Sequence, residues 1–195
     1  MAGMRSAPDA ALVSLTRRHG MEPLQENWDT TEAALRQFTN RSGWSRFQKR
    51  HGIDGYSSSI EVTLSELGWN VHVHMLMTFS HKLPPEAQAG VRGAISTRWC
   101  TAVASVGHDA HPDRQAVEFC RTSSDRERDV RYVTKQHLLH HAPDSKQGRY
   151  PADLLAGAAN GDVDDTQAYR EYLDEAFGRP VIRAYGRLSS TANTN

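Results

Sequence analysis

Alternating apolar and polar residues predict two neighbouring strands in the middle of the chain, at residues 56–63 and 70–79, joined by a short loop at 64–69. Successive side chains on a strand point to opposite faces, so the second strand has one apolar and one polar face. The residues of the apolar face are Val71, Val73, Met75 and Met77. The pattern therefore predicts a hairpin that covers a core with one face and carries His72 and His74 on the other.

Apolar residues at helical spacing predict helices around these strands. Between Pro23 and Phe38 they recur at steps of three and four, which is typical of an amphipathic helix with Pro near its first turn. A long helix follows Pro84 and Pro85, and its apolar stripe runs to Val106. The other helices are predicted at residues 42–50, 125–141, 151–159 and 163–177, and the other strands at 11–16, 116–121 and 181–185.

This order of elements predicts an α+β fold in which helices cover a central antiparallel sheet. The length of 195 residues fits one domain at 1–195, with an acidic helical segment at about 151–178. Hydrophobic residues make up 38% of the chain and charged residues 24%, which excludes collagen, coiled-coil and wholly disordered proteins. No apolar run approaches the roughly 18 residues of a membrane span, and the first residues lack the apolar run of a secretory signal. We therefore expect a cytoplasmic protein with no membrane partner.

Charge is distributed unevenly although the formal net charge is zero. Residues 151–178 hold seven acidic residues and one basic residue, a charge of −6, so the remainder carries +6. A basic body is compatible with binding to a phosphate backbone, although runs of charge are more often solvated faces. The charge pattern therefore permits a nucleic-acid partner without selecting one.

Glu61 is predicted to join the two histidines on the polar face of the hairpin. We assume that the two strands pair antiparallel and that both apolar faces point to one core. The register that keeps residues 64–69 as the connecting loop then places Glu61 opposite His72 and Thr63 opposite Asn70. Opposed Cβ atoms are then about 5 Å apart. The hairpin thus brings a carboxylate and two imidazoles, those of His72 and His74, to one surface.

Glu61, His72 and His74 form a candidate ligand set for a divalent metal ion. Mixed nitrogen and oxygen ligands with open positions accept Mn²⁺, Mg²⁺ or Zn²⁺. The alternative is that these are ordinary surface histidines and an exposed glutamate on a half-buried strand. Cys100 and Cys120 have neither zinc nor redox spacing, and we expect them to be free thiols.

Tyr132 and Lys135 are candidate catalytic residues on the helix predicted at 125–141. At about 100° per residue, Tyr132 points away from the apolar stripe that contains Val130 and Val133, and Lys135 lies about 60° from Tyr132. A Lys one turn away can lower the pKa of the phenol or neutralise a phosphate attached to it. The alternative is a packed tyrosine beside a solvated lysine.

Basic side chains on two helices are candidate DNA contacts. Trp44 and Phe47 lie on the basic helix that ends at Gly52, where they could stack on bases, but their spacing favours a role in the core. The other basic cluster surrounds Tyr132 on the helix predicted at 125–141. The alternative interpretation is that these basic residues only form a solvated helix face. The candidate DNA-binding residues are Arg41, Arg46, Lys49 and Arg50 on the first helix and Arg128 and Arg131 on the second.

Taken together, these short motifs resemble a known enzyme family. They are Leu15-Thr16 at the end of an early strand, Glu61-Val62-Thr63, Gly68-Trp69 leading into His72-Val73-His74, and Tyr132-Val133-Thr134-Lys135-Gln136. In this order and spacing they resemble the HUH endonucleases, and more closely the single-tyrosine rolling-circle replication initiator (Rep) proteins of bacterial plasmids. The resemblance covers about residues 12–187.

The resemblance implies a fold and an activity. The fold would be an HUH or ferredoxin-like core of about five antiparallel strands, facing a helix that carries the nucleophile. His72 and His74 would bind Mn²⁺ or Mg²⁺ at the scissile phosphate of single-stranded origin DNA, which can form a hairpin. Tyr132 would attack that phosphate, leaving a 5′-phosphotyrosine link and a 3′-OH for the polymerase. A host helicase and polymerase would be the partners, because the chain lacks a helicase region.

Three stretches depart from the family pattern. Asn70-Val71 stands where the family often has a further His and a Pro, and the exit sequence Ala184-Tyr185-Gly186-Arg187 is a loose match. Arg128 stands where some relatives have a carboxylate that activates water. Asp125 and Asp129 lie nearby, and the choice between them stays open. The alternative functions are a relaxase or transposase of the HUH type, a metallohydrolase that uses water as nucleophile, and a non-catalytic origin-binding module.

Overall fold

A five-stranded antiparallel sheet lies at the centre of the computed structural model, which describes residues 2–135, 148–180 and 182–189. The strand order is β4-β1-β3-β2-β5. The strands are β1 (Asp9–Leu15), β2 (Ile53–Ser65), β3 (Gly68–Phe79), β4 (Ala116–Phe119) and β5 (Ile182–Gly186). The helices are α1 (Ala2–Ser6), α2 (Leu24–Phe38), α3 (Arg41–His51), α4 (Pro85–Ala104), α5 (Ser123–Lys135), α6 (Pro151–Ala159) and α7 (Val163–Ala176). The α+β fold with a central antiparallel sheet is confirmed.

The β2–β3 hairpin has the predicted register, with Glu61 opposite His72. The predicted loop at 64–69 is wrong, because the ladder continues to the Ser65–Gly68 pair and leaves a turn of two residues. Gly68 has a φ of 93°, and a Cβ atom there would lie 2.4 Å from the carbonyl oxygen of Gly20. This close approach fixes the hairpin end against the segment that follows β1.

The two faces of the sheet pack against different helices. Val73, Met75 and Met77 of β3 contact the buried residues of α2 and α4, among them Phe38 and Trp99. On the opposite face, Leu76 packs in a smaller cluster with Val133 of α5. The alternation of β3 thus directs Val73, Met75 and Met77 to the α2–α4 layer and its histidines to the α5 side.

The acidic segment forms the α6–α7 helical hairpin at the β2–β3 turn end of the sheet. Leu154 of α6 is fully buried in a cluster with Trp69 and Val71 of β3. Glu171 of α7 accepts hydrogen bonds from the backbone N–H of Leu24 at 2.8 Å and from Trp69 Nε1 at 3.0 Å. The predicted helices at 151–159 and 163–177 are therefore confirmed and attached to the body of the protein.

Several predicted boundaries differ from the structure by one to three residues. Strand β4 ends at Phe119 rather than residue 121, and α4 ends at Ala104, two residues before Val106. Residues 136–141 of the helix predicted at 125–141 lie outside the described residues. None of the helices in the described part of the chain has the length and apolar character needed to span a membrane.

Candidate active site

His74 lies at the centre of a polar cluster on the α5 side of the sheet. Its side chain is buried, and Nδ1 is 2.9 Å from Ser14 Oγ of the neighbouring strand β1. Its Nε2 lies 2.6 Å from Glu61 Oε2. The rings of His72 and His74 are 6.2 Å apart between centroids. The two histidines therefore share one surface, as the alternation of β3 predicts.

Tyr132 of α5 reaches the same carboxylate from above the sheet. Its hydroxyl donates a hydrogen bond to Glu61 Oε2 at 3.1 Å. Its ring meets the ring of His74 edge-on, with centroids 5.2 Å apart and an interplanar angle of 84°. Val133, one residue later, is buried against Leu76 and holds α5 on the sheet. The structure thus brings Tyr132 together with Glu61 and His74.

Tyr150 is a further residue of the cluster, which the sequence analysis did not identify. Its hydroxyl donates a hydrogen bond of 2.5 Å to Glu61 Oε1, so each carboxylate oxygen is contacted by one tyrosine. Two backbone hydrogen bonds of 2.8 Å between Leu64 and Arg149 fix the segment against the edge of β2. Pro151 follows as the first residue of α6. No periodic pattern in the sequence marks this pairing across 89 residues.

The cluster shifts the pKa values of its members. Burial alone would raise the pKa of Glu61, but the hydrogen bond and charge of His74, the hydrogen bond from Tyr150 and the charge of His72 lower it to about 2. Burial lowers the pKa of His72 to about 4, against the attraction of Glu61. Burial and the hydrogen bond to Glu61 raise the pKa of Tyr150. At neutral pH, Glu61 is therefore a carboxylate and His72 a neutral imidazole.

His19 lies near the cluster, in the segment after β1. A positive charge on His19 contributes to lowering the pKa of His72, so the two imidazoles interact. Burial, together with the charge of Arg17, lowers the pKa of His19 itself, although a hydrogen bond to the backbone of Arg17 raises it. His19 was not identified from the sequence, because its distance from β3 depends on the tertiary fold.

The donor atoms of Glu61, His72 and His74 suit a divalent ion. Nε2 of His72 and Nε2 of His74 are buried, and neither has an aligned hydrogen-bond partner among the described residues, as expected of nitrogens that a metal would contact. In the part of the chain that the structure describes, no three His, Cys, Asp or Glu side chains already form a group able to hold a metal ion. The metal and its ligand set stay predictions.

The carboxylates beside Tyr132 on α5 are engaged elsewhere. Asp125 accepts hydrogen bonds from the backbone N–H groups of Arg121 and Thr122 at the start of the helix. Asp129 is buried, accepts a hydrogen bond from the Cys120 thiol at 3.3 Å, and pairs with Arg128 at 3.1 Å. Their bonding gives both acids structural roles.

The other predicted site residues lie at different places in the fold. Arg128 is exposed and forms ion pairs with Asp125 and Asp129, and Arg131 is exposed on α5. The side chains of Lys135, the last residue of α5, and Arg41, the first of α3, lie outside the described part of the structure.

The remaining basic residues occupy the opposite side of the sheet from Tyr132. Arg46, Lys49 and Arg50 are exposed on α3, which packs through Trp44 onto the α2–α4 layer. Trp44 is buried and stacks on Phe47 with ring centroids 5.4 Å apart, so the predicted core role of this aromatic pair is confirmed. The structure therefore does not bring the basic residues of α3 to the tyrosine.

Cys100 and Cys120 are both free thiols, as predicted. Comparison of the chain with protein-family models, curated proteins and solved structures found no significant match.

Proposed function

We propose that this protein is a metal-dependent enzyme that nicks and rejoins single-stranded DNA through Tyr132. The observation that carries the proposal is the hydrogen bond between the Tyr132 hydroxyl and Glu61, next to His72 and His74 on one face of the sheet. A phenolic oxygen beside two imidazoles and a carboxylate is suited to in-line attack on a phosphodiester. The resemblance of the motifs to HUH endonucleases supports the same reaction.

The reaction is a transesterification in which Tyr132 Oη forms a bond to phosphorus. The bond from phosphorus to the 3′ oxygen of the upstream nucleotide breaks, the phenol loses its proton, and the departing 3′ oxygen takes one up. The products are a 5′-phosphotyrosine and a free 3′-OH. One ester bond to phosphorus forms as another breaks, so the phosphate remains a diester. Attack by a 3′-OH on the phosphotyrosine therefore reverses the step and joins the strand.

The neighbouring residues position the nucleophile. Glu61 stays ionised with a pKa of about 2 and accepts the hydrogen bond that fixes the direction of the Tyr132 hydroxyl. Tyr150 and His74 hold that carboxylate from its two oxygens. A divalent ion, Mn²⁺ or Mg²⁺, bound by His72, His74 and Glu61 would polarise the scissile phosphate and stabilise its developing charge.

Rolling-circle replication of a bacterial plasmid is the biological role that we propose for this chemistry. The 3′-OH released at an origin can prime a polymerase, and the covalent link retains the energy needed to close a circle. The substrate would then be single-stranded origin DNA in the cytoplasm, and a host helicase and polymerase would act with the enzyme. Mobilisation or transposition uses the same chemistry on a different DNA site.

The test is covalent capture of DNA by the full chain. A pool of random-sequence single-stranded oligonucleotides, labelled at the 3′ end, is incubated with the protein and Mn²⁺ and run on a denaturing protein gel. The 3′ label is needed because the tyrosine retains the downstream fragment. We expect a labelled protein band with the wild type and with Tyr185→Phe, whose side chain is exposed on β5. The band should be absent with EDTA and with Tyr132→Phe.

Two outcomes would reject the proposal. Cleavage that persists in Tyr132→Phe without any labelled protein would identify a metallohydrolase that uses water. A complete lack of cleavage and of adduct across the pool, with DNA binding unaffected by EDTA, would identify a binding module instead.

A further inference from the structure

A wide groove lies between α3 and α4, on the side of the sheet opposite Tyr132. Its volume is about 1240 Å³. Arg46 and Arg50 of α3 and Arg98 of α4 line it, together with His51 and His81. None of the described residues that line it is Asp or Glu, although the whole chain has as many acids as bases. The groove is therefore a cationic surface without internal charge compensation.

Arg98 is fixed in position without a carboxylate partner. Its guanidinium carbon lies 5.6 Å from the centre of the Trp44 ring and 5.3 Å from that of Phe47, and its Nε donates a 2.7 Å hydrogen bond to the carbonyl of Phe38. Among the described residues no Asp or Glu oxygen is within 4.0 Å of it, and burial lowers its pKa. A partly desolvated, oriented cation of this kind is suited to an external anion.

The wall that α4 contributes to the groove is made of small side chains. Gly90, Gly93, Thr97 and Thr101 line it. A Cβ atom added at Gly90 or Gly93 would meet no other heavy atom within 4 Å, so the space in front of the helix is open. A chain-like ligand can therefore approach the α4 backbone closely while the arginines contact its charged groups.

We infer that this groove binds the sugar–phosphate backbone of single-stranded nucleic acid. Phosphates along a strand match a row of arginines that lacks neighbouring carboxylates, and Arg is the side chain best suited to bidentate phosphate contact. A cationic groove that tracks the backbone through phosphate contacts binds largely independently of sequence. The inference goes beyond the nicking activity, because it concerns a surface that the sheet separates from Tyr132.

The test measures binding of a fluorescent oligo-dT strand to the full chain by anisotropy, in EDTA and over a range of salt concentrations. Arg46→Glu reverses an exposed charge and should weaken binding several-fold. Arg98→Ala should weaken it and reduce the slope of log affinity against log salt by about 0.7 for one lost phosphate contact. Arg170→Ala, an exposed arginine of α7, is the matched control and should bind as the wild type does.

Arg46→Glu keeps the test decisive if Arg98→Ala disturbs the aromatic packing. Wild-type binding by Arg46→Glu, or an equal loss in Arg170→Ala, would overturn the inference, as would equal affinity for duplex DNA. A change of oligomeric state in Arg46→Glu with unchanged oligo-dT binding would instead show that a second copy of the chain occupies the groove. The nicking reaction is assayed separately with Mn²⁺ and Tyr132→Phe, whereas this binding is measured in EDTA with the groove variants, so failure of the groove and failure of the nicking reaction are distinguishable.

Discussion

The two histidines of the candidate site differ in how they are held. Nδ1 of His74 lies 2.9 Å from Ser14 Oγ and its Nε2 lies 2.6 Å from Glu61 Oε2, whereas among the described residues no carboxylate oxygen is within 4.0 Å of a His72 ring nitrogen. Removing the partner of a buried carboxylate leaves its charge partly uncompensated, which costs about 1–3 kcal/mol or more. In EDTA, we therefore expect His74→Ala to lower the free energy of unfolding by about 3 kcal/mol. His72→Ala should lower it by about 1 kcal/mol, mainly through lost packing.

Urea unfolding of both variants measures this difference. Each variant is the control for the other, since both lose an imidazole from the same face of β3. Equal destabilisation would contradict the hydrogen-bonding pattern and remove the case for His74 as the residue that positions Glu61.

Cys120 is predicted to be a very weak nucleophile in the folded protein. Burial, the hydrogen bond to Asp129 and the charge of that carboxylate raise its pKa to about 12. Only the thiolate reacts with iodoacetamide, so in a Cys100→Ser background at about pH 8 the native protein should be alkylated far more slowly than the unfolded protein. Asp129→Asn should accelerate the reaction, because it removes the carboxylate that repels the thiolate.

The same shift predicts the direction of a pH effect on stability. The folded thiol keeps its proton when the unfolded thiol, with an ordinary pKa of 9.0, has lost it. The contribution of Cys120 is therefore present below pH 9.0 and is lost as the pH rises toward 12. In urea unfolding, Cys120→Ala should show a smaller loss of stability above pH 9.0 than the wild type. Equal losses would contradict the raised pKa.

At the residue scale, the sequence contained part of the site. The alternation of two adjacent strands was enough to set Glu61 opposite His72, because a short turn and one apolar face leave one register. Ser14 and Tyr150 could not be found in this way. They lie 60 and 89 residues from their partners, and no local pattern encodes contacts over such distances.

At the scale of elements, α5 carries Tyr132 and depends on its first turn. Thr122 and Asp125 exchange hydrogen bonds, the Thr122 side chain accepting at 3.1 Å and the Asp125 side chain at 2.9 Å. This reciprocal cap satisfies backbone N–H groups that the helix leaves unpaired. We expect Thr122→Ala to lower the free energy of unfolding by about 1 kcal/mol in urea unfolding. Ser124→Ala, at an exposed position of the same turn, should have little effect, and an equal effect would contradict the cap.

Element boundaries were predictable where the sequence contains a residue with a backbone constraint. Pro23 precedes α2, Pro85 begins α4, and Gly52 ends α3 with a φ of 70°. Some boundaries without such a residue differ from the prediction, whereas others, such as the end of β3 at Phe79, agree with it. The hairpin extends through 64–69 because Leu64 pairs with Trp69, whose indole bonds to α7, a contact that depends on the tertiary fold.

At the scale of the whole molecule, Glu171 joins the acidic segment to the body. Its two oxygens accept hydrogen bonds from the first turn of α2 and from Trp69 of β3. We expect Glu171→Ala to lower the free energy of unfolding by about 2 kcal/mol, since each hydrogen bond to a charged group contributes about 1.5–3 kcal/mol before relaxation. Asp174→Ala, exposed on the same helix, is the control for net charge. Equal urea midpoints for the two variants would contradict the joining role.

The strand order shows what the sequence cannot encode locally. β1 lies between β3 and β4, although 52 residues separate β1 from β3 in the chain. Hydrophobic alternation gives each strand its faces but does not give it its neighbours. The α+β class was therefore accessible from the sequence, and the position of Ser14 beside His74 was not.

The sheet that separates the α3–α4 groove from Tyr132 also sets a minimum length for any DNA strand that contacts both surfaces. One oligonucleotide must pass around the rim of the sheet to touch both surfaces, so short strands occupy a single surface and longer strands bridge the two. Bridging turns the second contact into an intramolecular one and adds avidity. Affinity plotted against strand length should therefore rise in a step, at the length whose contour equals the path around the rim.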